Sequence, residues 1–155
     1  MRKIFFGVLG CLGLVSQAYA LGINYGEILV ENLQIGTTYN LTEIANLPLE
    51  VNNDSDEAMT IQAEPLKPDK PIAGYEAVPS VAWIKISPAK FPMQPRVKHL
   101  SDVHITIPQD RKYLGRKYQV DIFTHSAENA DGMNFMSVKL GIKGRLLFTV
   151  APVVL

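Results

Sequence analysis

Apolar and polar residues alternate along much of the chain beyond residue 26, and a period of two is typical of β-strands that bury one face. The alternating segments are residues 27–35, 47–51, 59–63, 81–86, 103–107 and 118–124, with a weaker candidate at 40–44. Segments rich in Asn, Asp, Ser, Gly and Pro separate them, and these residue types favour turns. Helical periodicity is scarce in the same region. The pattern therefore predicts an all-β domain.

Two of the alternating segments follow each other closely. A polar sequence at residues 52–56 joins residues 47–51 to residues 59–63. Its Asn, Asp and Ser side chains can bond to their own backbone, and Asn and Asp tolerate left-handed conformations. This arrangement predicts a β-hairpin.

The last alternating segment, residues 136–150, is longer than a usual strand of about 3–10 residues. Its apolar side chains of one parity are Met136, Val138, Leu140, Ile142, Leu146, Phe148 and Val150. Gly141 and Gly144 predict a bend or bulge at which this strand passes from one sheet to another. If the strand lies at a sheet edge, it could pair with a strand of another chain, and these side chains are candidate partner-binding residues. The alternative is an internal last strand that closes the domain.

About seven short strands with no helix between them favour one architecture. Connections this short disfavour parallel βαβ units, so we expect an antiparallel β-sandwich. Tyr118, at the head of a strand, is either a tyrosine corner, whose hydroxyl bonds back to the entering loop, or a core residue. Trp83 lies on the parity opposite Ile84 and Ile86, and burial is favoured for a lone tryptophan.

The first twenty residues differ in character from the rest. Two basic residues precede an uncharged apolar run over residues 4–15, which is too short to span a bilayer, since a spanning helix needs about 20 apolar residues. A small–x–small triplet ends at Ala20, and this pattern is typical of a cleaved secretory signal peptide. We therefore expect a signal peptide over residues 1–20 and one exported domain over residues 21–155, periplasmic or extracellular and without a transmembrane segment. An uncleaved anchor, or a lipid anchor on Cys11, is the alternative.

The composition narrows the classes of function. The chain has 155 residues, 47% of them hydrophobic and 19% charged, which suits one ordinary domain and excludes a disordered tail. Its one cysteine excludes a disulfide scaffold and a multi-cysteine zinc module. A formal net charge of zero argues against a nucleic-acid partner.

No catalytic, cofactor or metal motif stands out. The three histidines, His99, His104 and His125, lack a metal-ligand spacing. His104 and His125 could approach each other, but isolated surface histidines are favoured. The sequence contains no Gly-x-Ser-x-Gly elbow and no Gly-rich phosphate loop, and the acidic turns at 54–57 and 128–132 do not match a calcium loop. We therefore expect no enzymatic activity, no cofactor and no metal.

Charge is unevenly distributed along the chain. Residues 21–66 carry eight acidic and no basic side chains, whereas residues 67–155 carry 13 basic and seven acidic ones. The densest basic stretch comprises Arg111, Lys112, Arg116 and Lys117. Either neighbouring strands neutralise the asymmetry, or the domain has a dipolar surface that docks with a copy of itself or another partner. The basic stretch could also contact an anionic envelope polymer.

The order of the motifs resembles that of two groups of exported bacterial domains. The segments are Leu-Glu-Val-Asn-Asn-Asp-Ser-Asp at 49–56, Trp-Ile-Lys-Ile-Ser-Pro at 83–88 with Phe91 and Pro95, Val-His-Ile-Thr-Ile-Pro at 103–108, and Gly-Arg-Lys-Tyr-Gln-Val at 115–120. Together they resemble the N-terminal domain of PapD-like periplasmic pilus chaperones and a peptidoglycan-associated domain of Gram-positive surface proteins. The resemblance covers roughly residues 27–150 and implies a single immunoglobulin-like (PapD-like) β-sandwich.

The resemblance also implies a class of function. Pilus chaperones clamp the C-terminal carboxylate of a pilin with an early-strand Arg and a late-strand Lys. Residues 21–66 contain no basic residue, so the Arg has no match here, and Lys139 or Lys143 is the candidate for the Lys. We expect a non-catalytic exported module that acts by protein–protein contact in the bacterial cell envelope, through an edge strand or a sheet face. Its partner would be an envelope or surface protein or a copy of itself.

Two alternatives to this function stay open. One is a single-domain protein, similar to pilus chaperones, that assists the assembly of surface fibres. The other is a binder of peptidoglycan or another anionic envelope polymer through the four basic residues at 111–117.

Overall fold

The computed structural model of the chain describes residues 20–127 and 141–155, in which short strands dominate. The strands are β1 (Leu21–Ile23), β2 (Glu27–Leu33), β3 (Thr37–Asn40), β4 (Leu49–Asn53), β5 (Met59–Leu66), β6 (Glu76–Ala77), β7 (Ile84–Ser87), β8 (Lys90–Met93), β9 (Lys98–Ile107), β10 (Lys117–Ser126) and β11 (Gly141–Val150). A short helix, α1 (Leu41–Ala45), and 3-10 turns at Val81–Trp83 and Arg111–Tyr113 interrupt them. The weak strand candidate at 40–44 is therefore mostly helical. The Asn40 side chain caps α1 by accepting a hydrogen bond from the Thr42 N–H.

The strands form two facing sheets. In the five-stranded sheet, β9 pairs with β3, β4 and β7, and β1 pairs with β4. The six-stranded sheet has the order β2-β11-β10-β5-β8, with β6 added to β10. All of these pairs are antiparallel except β2 with β11 and β6 with β10. The predicted immunoglobulin-like (PapD-like) β-sandwich is confirmed. The described residues form eleven strands rather than about seven, and two of their pairs are parallel.

The core lies between the two sheets and contains side chains from both. Its fully buried members include Leu49, Val51, Ile61, Val103, Ile105, Ile107, Val120, Ile122, Leu146 and Phe148. Trp83 is 7% exposed, so its predicted burial is confirmed. Tyr118 is buried too, with its ring 5.5 Å from that of Trp83, which makes it a core residue.

The chain changes sheets between β1 and β2, and Tyr25 lies at the crossing. Its side chain is fully buried, and its hydroxyl donates a hydrogen bond to the Leu47 carbonyl oxygen at 2.6 Å. Burial raises the pKa of Tyr25. Gly144 of β11 permits the crossing, since a Cβ there would collide with the backbone oxygen of Tyr25 and lie 2.8 Å from its Cβ.

The strand predicted at 81–86 begins only at Ile84, after the 3-10 turn. Two further local predictions are wrong. The hairpin over residues 47–63 does not form: β4 pairs with β1 and β9, whereas β5 pairs with β8 and β10 in the other sheet. Gly141 and Gly144 do not move the last strand between sheets either, because β11 pairs with β10 without interruption. Both glycines instead make room for aromatic residues, Phe123 at Gly141 and Tyr25 at Gly144.

Some predictions fall on residues that the structure does not describe. These are the signal peptide up to residue 19, and Met136, Val138, Lys139 and Leu140. Within the described ranges, no helix is long and apolar enough to cross a membrane.

Candidate functional site

The sandwich has two sides, and the core is covered on the side formed by β7 and β8. Here Ile84, Ile86, Phe91 and Met93 are each 5% exposed or less. Pro92 lies within the edge strand β8 and has no N–H to offer a further strand. The core-facing residues of this side are thus covered, and Pro92 with the exposed Lys85 and Lys90 protects its edge strands against strand addition.

The opposite side, where the chain passes from β1 to β2, is more open. The hydrophobic residues that pack against the core but stay partly exposed on this part of the chain are Leu21, Ile23, Ile28, Val30, Ile35, Tyr39 and Leu47. Leu29 of β2 is 50% exposed. No described strand pairs with the outer edge of β2. We call this feature, residues 27–31 with their outward backbone groups and side chains, the β2 edge.

The β2 edge exists because β2 covers most of the last strand. The two strands run parallel, from Arg145 opposite Glu27 to Val150 opposite Leu33. The candidate residues Leu146, Phe148 and Val150 are consequently buried and face the core, while Ile142 is half-buried. Over this stretch β11 is an internal strand, so a partner that approaches from this side meets β2 first.

The chemistry of the β2 edge is acidic and apolar. The outward-facing residues are Glu27, Leu29 and Glu31, all exposed. Glu27 accepts a hydrogen bond from the Arg145 guanidinium at 2.6 Å. The strand then bulges between its contacts with Phe148 and Val150, where Asn32 takes a left-handed backbone conformation with φ of 60°. Asparagine tolerates that conformation better than most residues do.

The charge asymmetry of the sequence is partly neutralised between strands. Acidic residues of the first half pair with cations of the second at 2.6–2.9 Å: Glu27 with Arg145, Glu50 with Lys98, and Asp56 with Arg96. The Glu64 carboxylate also lies 3.0 Å from the Nε2 atom of His125. Exposed pairs of this kind contribute little to stability, because water and salt screen them. Because these pairs join the acidic and the basic half of the sequence, the described surface does not divide into one acidic and one basic face.

The four candidate polymer contacts lie where the chain enters β10: Arg111 and Lys112 belong to the 3-10 turn, Arg116 precedes the strand, and Lys117 is its first residue. Arg111, Lys112, Arg116 and Lys117 are all exposed. Lys112 pairs with Asp110 at 2.9 Å, and Arg116 pairs with Glu76 at 2.7 Å. The Lys112 ammonium lowers the pKa of the Asp110 carboxyl. Two of the four cations are thus partly neutralised.

The histidines do not converge on one site. His104 lies on β9 and His125 on β10, so they belong to different sheets and do not approach each other. His99 lies at the rim of the core, where its ring stacks on Phe91 with centroids 3.7 Å apart. Its Nε2 atom is buried without a hydrogen-bond partner among the described residues. In those ranges, no group of three or more His, Cys, Asp or Glu side chains is placed to hold a metal ion.

His99 is expected to make the fold sensitive to acid. Burial lowers the pKa of His99, so the unfolded chain takes up a proton at a higher pH than the folded protein does. The free energy of unfolding should therefore fall as the pH drops below about 6.5, the ordinary histidine pKa, towards the lowered pKa of the folded state. His99→Phe keeps a ring against Phe91 and should remove this part of the pH dependence in urea denaturation. The control His125→Gln should retain it, and equal pH dependence in wild type and His99→Phe would contradict the prediction.

Of the two lysines suggested by the family resemblance, only Lys143 is described. It is exposed on β11, with its ammonium 4.0 Å from the Asp121 carboxylate. No described arginine stands on β1 to β5 to complete a carboxylate clamp.

Comparison with solved structures shows the PapD-like fold. A PapD-like domain of human CEP192 matches with a TM-score of 0.62 at 11% identity, covering 99% of both chains. The E. coli chaperone DraB matches with a TM-score of 0.58 at 18% identity, covering 87% of this chain and 57% of its own. The SafB chaperone of Salmonella enterica, in a complex with the SafA pilin, matches with a TM-score of 0.56 at 11% identity, covering 87% and 56%. The chain thus spans a little over half the length of these chaperone structures.

Comparisons at the level of sequence add no relative. No family model and no curated protein matches this chain.

Proposed function

We propose that this protein is a non-catalytic, exported module of the bacterial cell envelope that acts by protein–protein contact, and that its contact surface is the side of the sandwich around β2. One observation carries the proposal: at the β7 and β8 edges the core-facing residues are buried and β8 carries Pro92, whereas the β2 edge leaves Leu29 half exposed and the core-facing Ile28 and Val30 partly exposed. Monomeric proteins usually protect such edges. An edge that is left open is therefore a place where a partner is expected.

The likeness to chaperone structures favours a narrower role. DraB and SafB are named as chaperones, and SafB is seen with a pilin. A single PapD-like domain that assists the assembly of surface fibres would be consistent with both the fold and the open edge. The partner would then be a subunit of a surface fibre, which is a narrower case of the envelope or surface protein proposed above.

Photo-crosslinking in living cells tests the proposed contact. A photoreactive amino acid at position 29 of the full chain should give a discrete crosslinked envelope protein. The matched control is position 100, because Leu100 is 52% exposed and also lies on a strand, but in the other sheet. If no described surface position gives a crosslink, protein contact is not the function.

Export gives a separate prediction on the N-terminus. The first described strand, β1, begins at Leu21, immediately after the predicted cleavage site, and Leu21 pairs with Asn53. Mass spectrometry of the protein from its host should find Leu21 as the first residue. Ala20→Leu should block cleavage, because the processing enzyme needs a small residue there. Retention of Met1 in the wild-type protein would contradict export by a cleaved signal peptide.

Binding of an anionic envelope polymer is the second candidate function, favoured by four exposed cations within residues 111–117. If it is correct, purified cell wall should sediment the protein, and reversing the charge of all four residues should abolish this. A matched control reverses four other exposed lysines, which are Lys67, Lys70, Lys85 and Lys90. Equal sedimentation of both variants would exclude the basic turn as the binding surface.

A further inference from the structure

We propose that the β2 edge accepts an extended segment of a partner protein as an additional strand. In this segment apolar residues alternate with Lys or Arg, and the basic residues lie on the face next to Glu31. The inference rests on the proposed function and specifies how the contact is made. It identifies the partner segment by its chemistry.

The backbone of β2 is satisfied on one edge only. The Arg145 N–H donates to the Gly26 carbonyl oxygen at 2.9 Å, and the parallel register continues with Leu146 opposite Ile28 and Phe148 opposite Val30. In a parallel ladder alternate residues direct both backbone groups to the same neighbour. Ile28 and Val30 therefore bond to β11, while the N–H and C=O groups of Leu29 and Glu31 point outward. They form a template for an incoming strand.

The side chains of β2 would gain burial on both faces of the sheet. Ile28 and Val30 face the core but remain partly exposed, whereas Leu29 on the outer face is half exposed. A strand with apolar residues at alternate positions would cover Ile28 and Val30 on the core face. On the outer face, an aliphatic side chain or the aliphatic part of a lysine would cover Leu29.

Charge selects the kind of partner. β2 carries two glutamates and no cation, and none of the ion pairs among the described residues includes Glu31. A basic residue opposite Glu31 would form a favourable cross-strand pair. A second copy that paired antiparallel through its own β2, centred on Leu29, would instead place Glu31 opposite Glu27, and like charges opposite each other are unfavourable. The acidic edge thus favours a basic foreign segment over a second copy.

Hydrogen exchange on the free protein gives the first test. The amides of Ile28 and Val30 should exchange slowly, and those of Leu29 and Glu31 fast. Adding a short synthetic peptide, blocked at both ends, in which valine alternates with lysine should shift the NMR signals of Leu29 and Glu31 and slow their exchange. Shifts confined to another strand, or concentration-dependent dimerisation through β2 without peptide, would overturn the proposal.

A charge swap makes the test specific. Glu31→Lys should weaken binding of the lysine peptide by about threefold to fivefold, the value of one cross-strand charge pair. The same variant should strengthen binding of a matched peptide with glutamate in place of lysine. The control Glu43→Lys changes an exposed glutamate on α1 and should have neither effect. Equal responses of the two variants would overturn the role of Glu31.

A second substitution tests the edge itself. Leu29→Lys should reduce peptide binding about tenfold, because it removes apolar burial and places a lysine on an edge strand. Leu100→Lys is the matched control for exposure and should bind the peptide normally. If the peptides fail to bind while the crosslink at position 29 persists in cells, strand addition is wrong and protein contact stands. Loss of both results would reject the proposed function as well.

Discussion

Replacing Gly144 with alanine is expected to lower the free energy of unfolding by about 3 kcal/mol, at the upper end of what overpacking usually costs. The added methyl group would collide with the backbone oxygen of Tyr25 and lie 2.8 Å from its Cβ. Tyr25 cannot retreat easily, because its side chain is fully buried and its hydroxyl is bonded to the Leu47 carbonyl. The backbone of β1 or β2 must move instead, so the effect should extend to the β2 edge.

Urea denaturation of wild type and Gly144→Ala measures this effect. Gly26→Ala is a matched control, since Gly26 lies at the same crossing and a Cβ there would meet nothing within 4 Å. It should change the stability by less than about 0.5 kcal/mol, as is usual for a surface substitution. If the two variants were equally stable, Gly144 would not be the residue that admits Tyr25.

Much of the fold follows from local alternation of the sequence. The strands β4, β5, β9 and β10 lie where the period of two places them, because a buried face requires an apolar side chain at every second residue. The alternation does not specify which strands pair. The turn at residues 52–56 is compatible with a hairpin, yet it carries the chain from β4 to β5 in the other sheet. Pairing depends on contacts distant in sequence, and no local pattern encodes them.

Because local patterns do not specify strand pairing, the sequence does not reveal the candidate site either. The apolar parity of residues 142–150 identifies a strand with a buried face, but not whether β11 lies at an edge. The strand that occupies the edge is separated from β11 by more than a hundred residues. One local signal was present: Leu29 is apolar on the parity opposite Ile28 and Val30. A strand with a half-exposed leucine on its outer face is a candidate for contact with another strand or another protein.

Trp83→Ala is expected to have the largest effect on stability, a loss of about 3–5 kcal/mol, as for other large core aromatics. The Trp83 ring makes edge-to-face contacts with Tyr113 at 4.7 Å and Tyr118 at 5.5 Å between centroids. Tyr118 in turn lies 5.7 Å from Phe148 of β11. The indole thus links the turn before β7 to the strands of the opposite sheet, and its removal leaves a cavity that these rings cannot fill by small shifts.

Val81→Ala is the matched control for Trp83→Ala. Both residues belong to the same 3-10 turn, but Val81 is 38% exposed whereas Trp83 is 7% exposed. The control should change the stability by less than about 1 kcal/mol, since little apolar surface is uncovered. The Tyr113 and Tyr118 rings should also lose their fixed environment in Trp83→Ala, which near-ultraviolet circular dichroism detects. A Trp83→Ala protein as stable as the control would mean that the Trp83 ring is not part of the core.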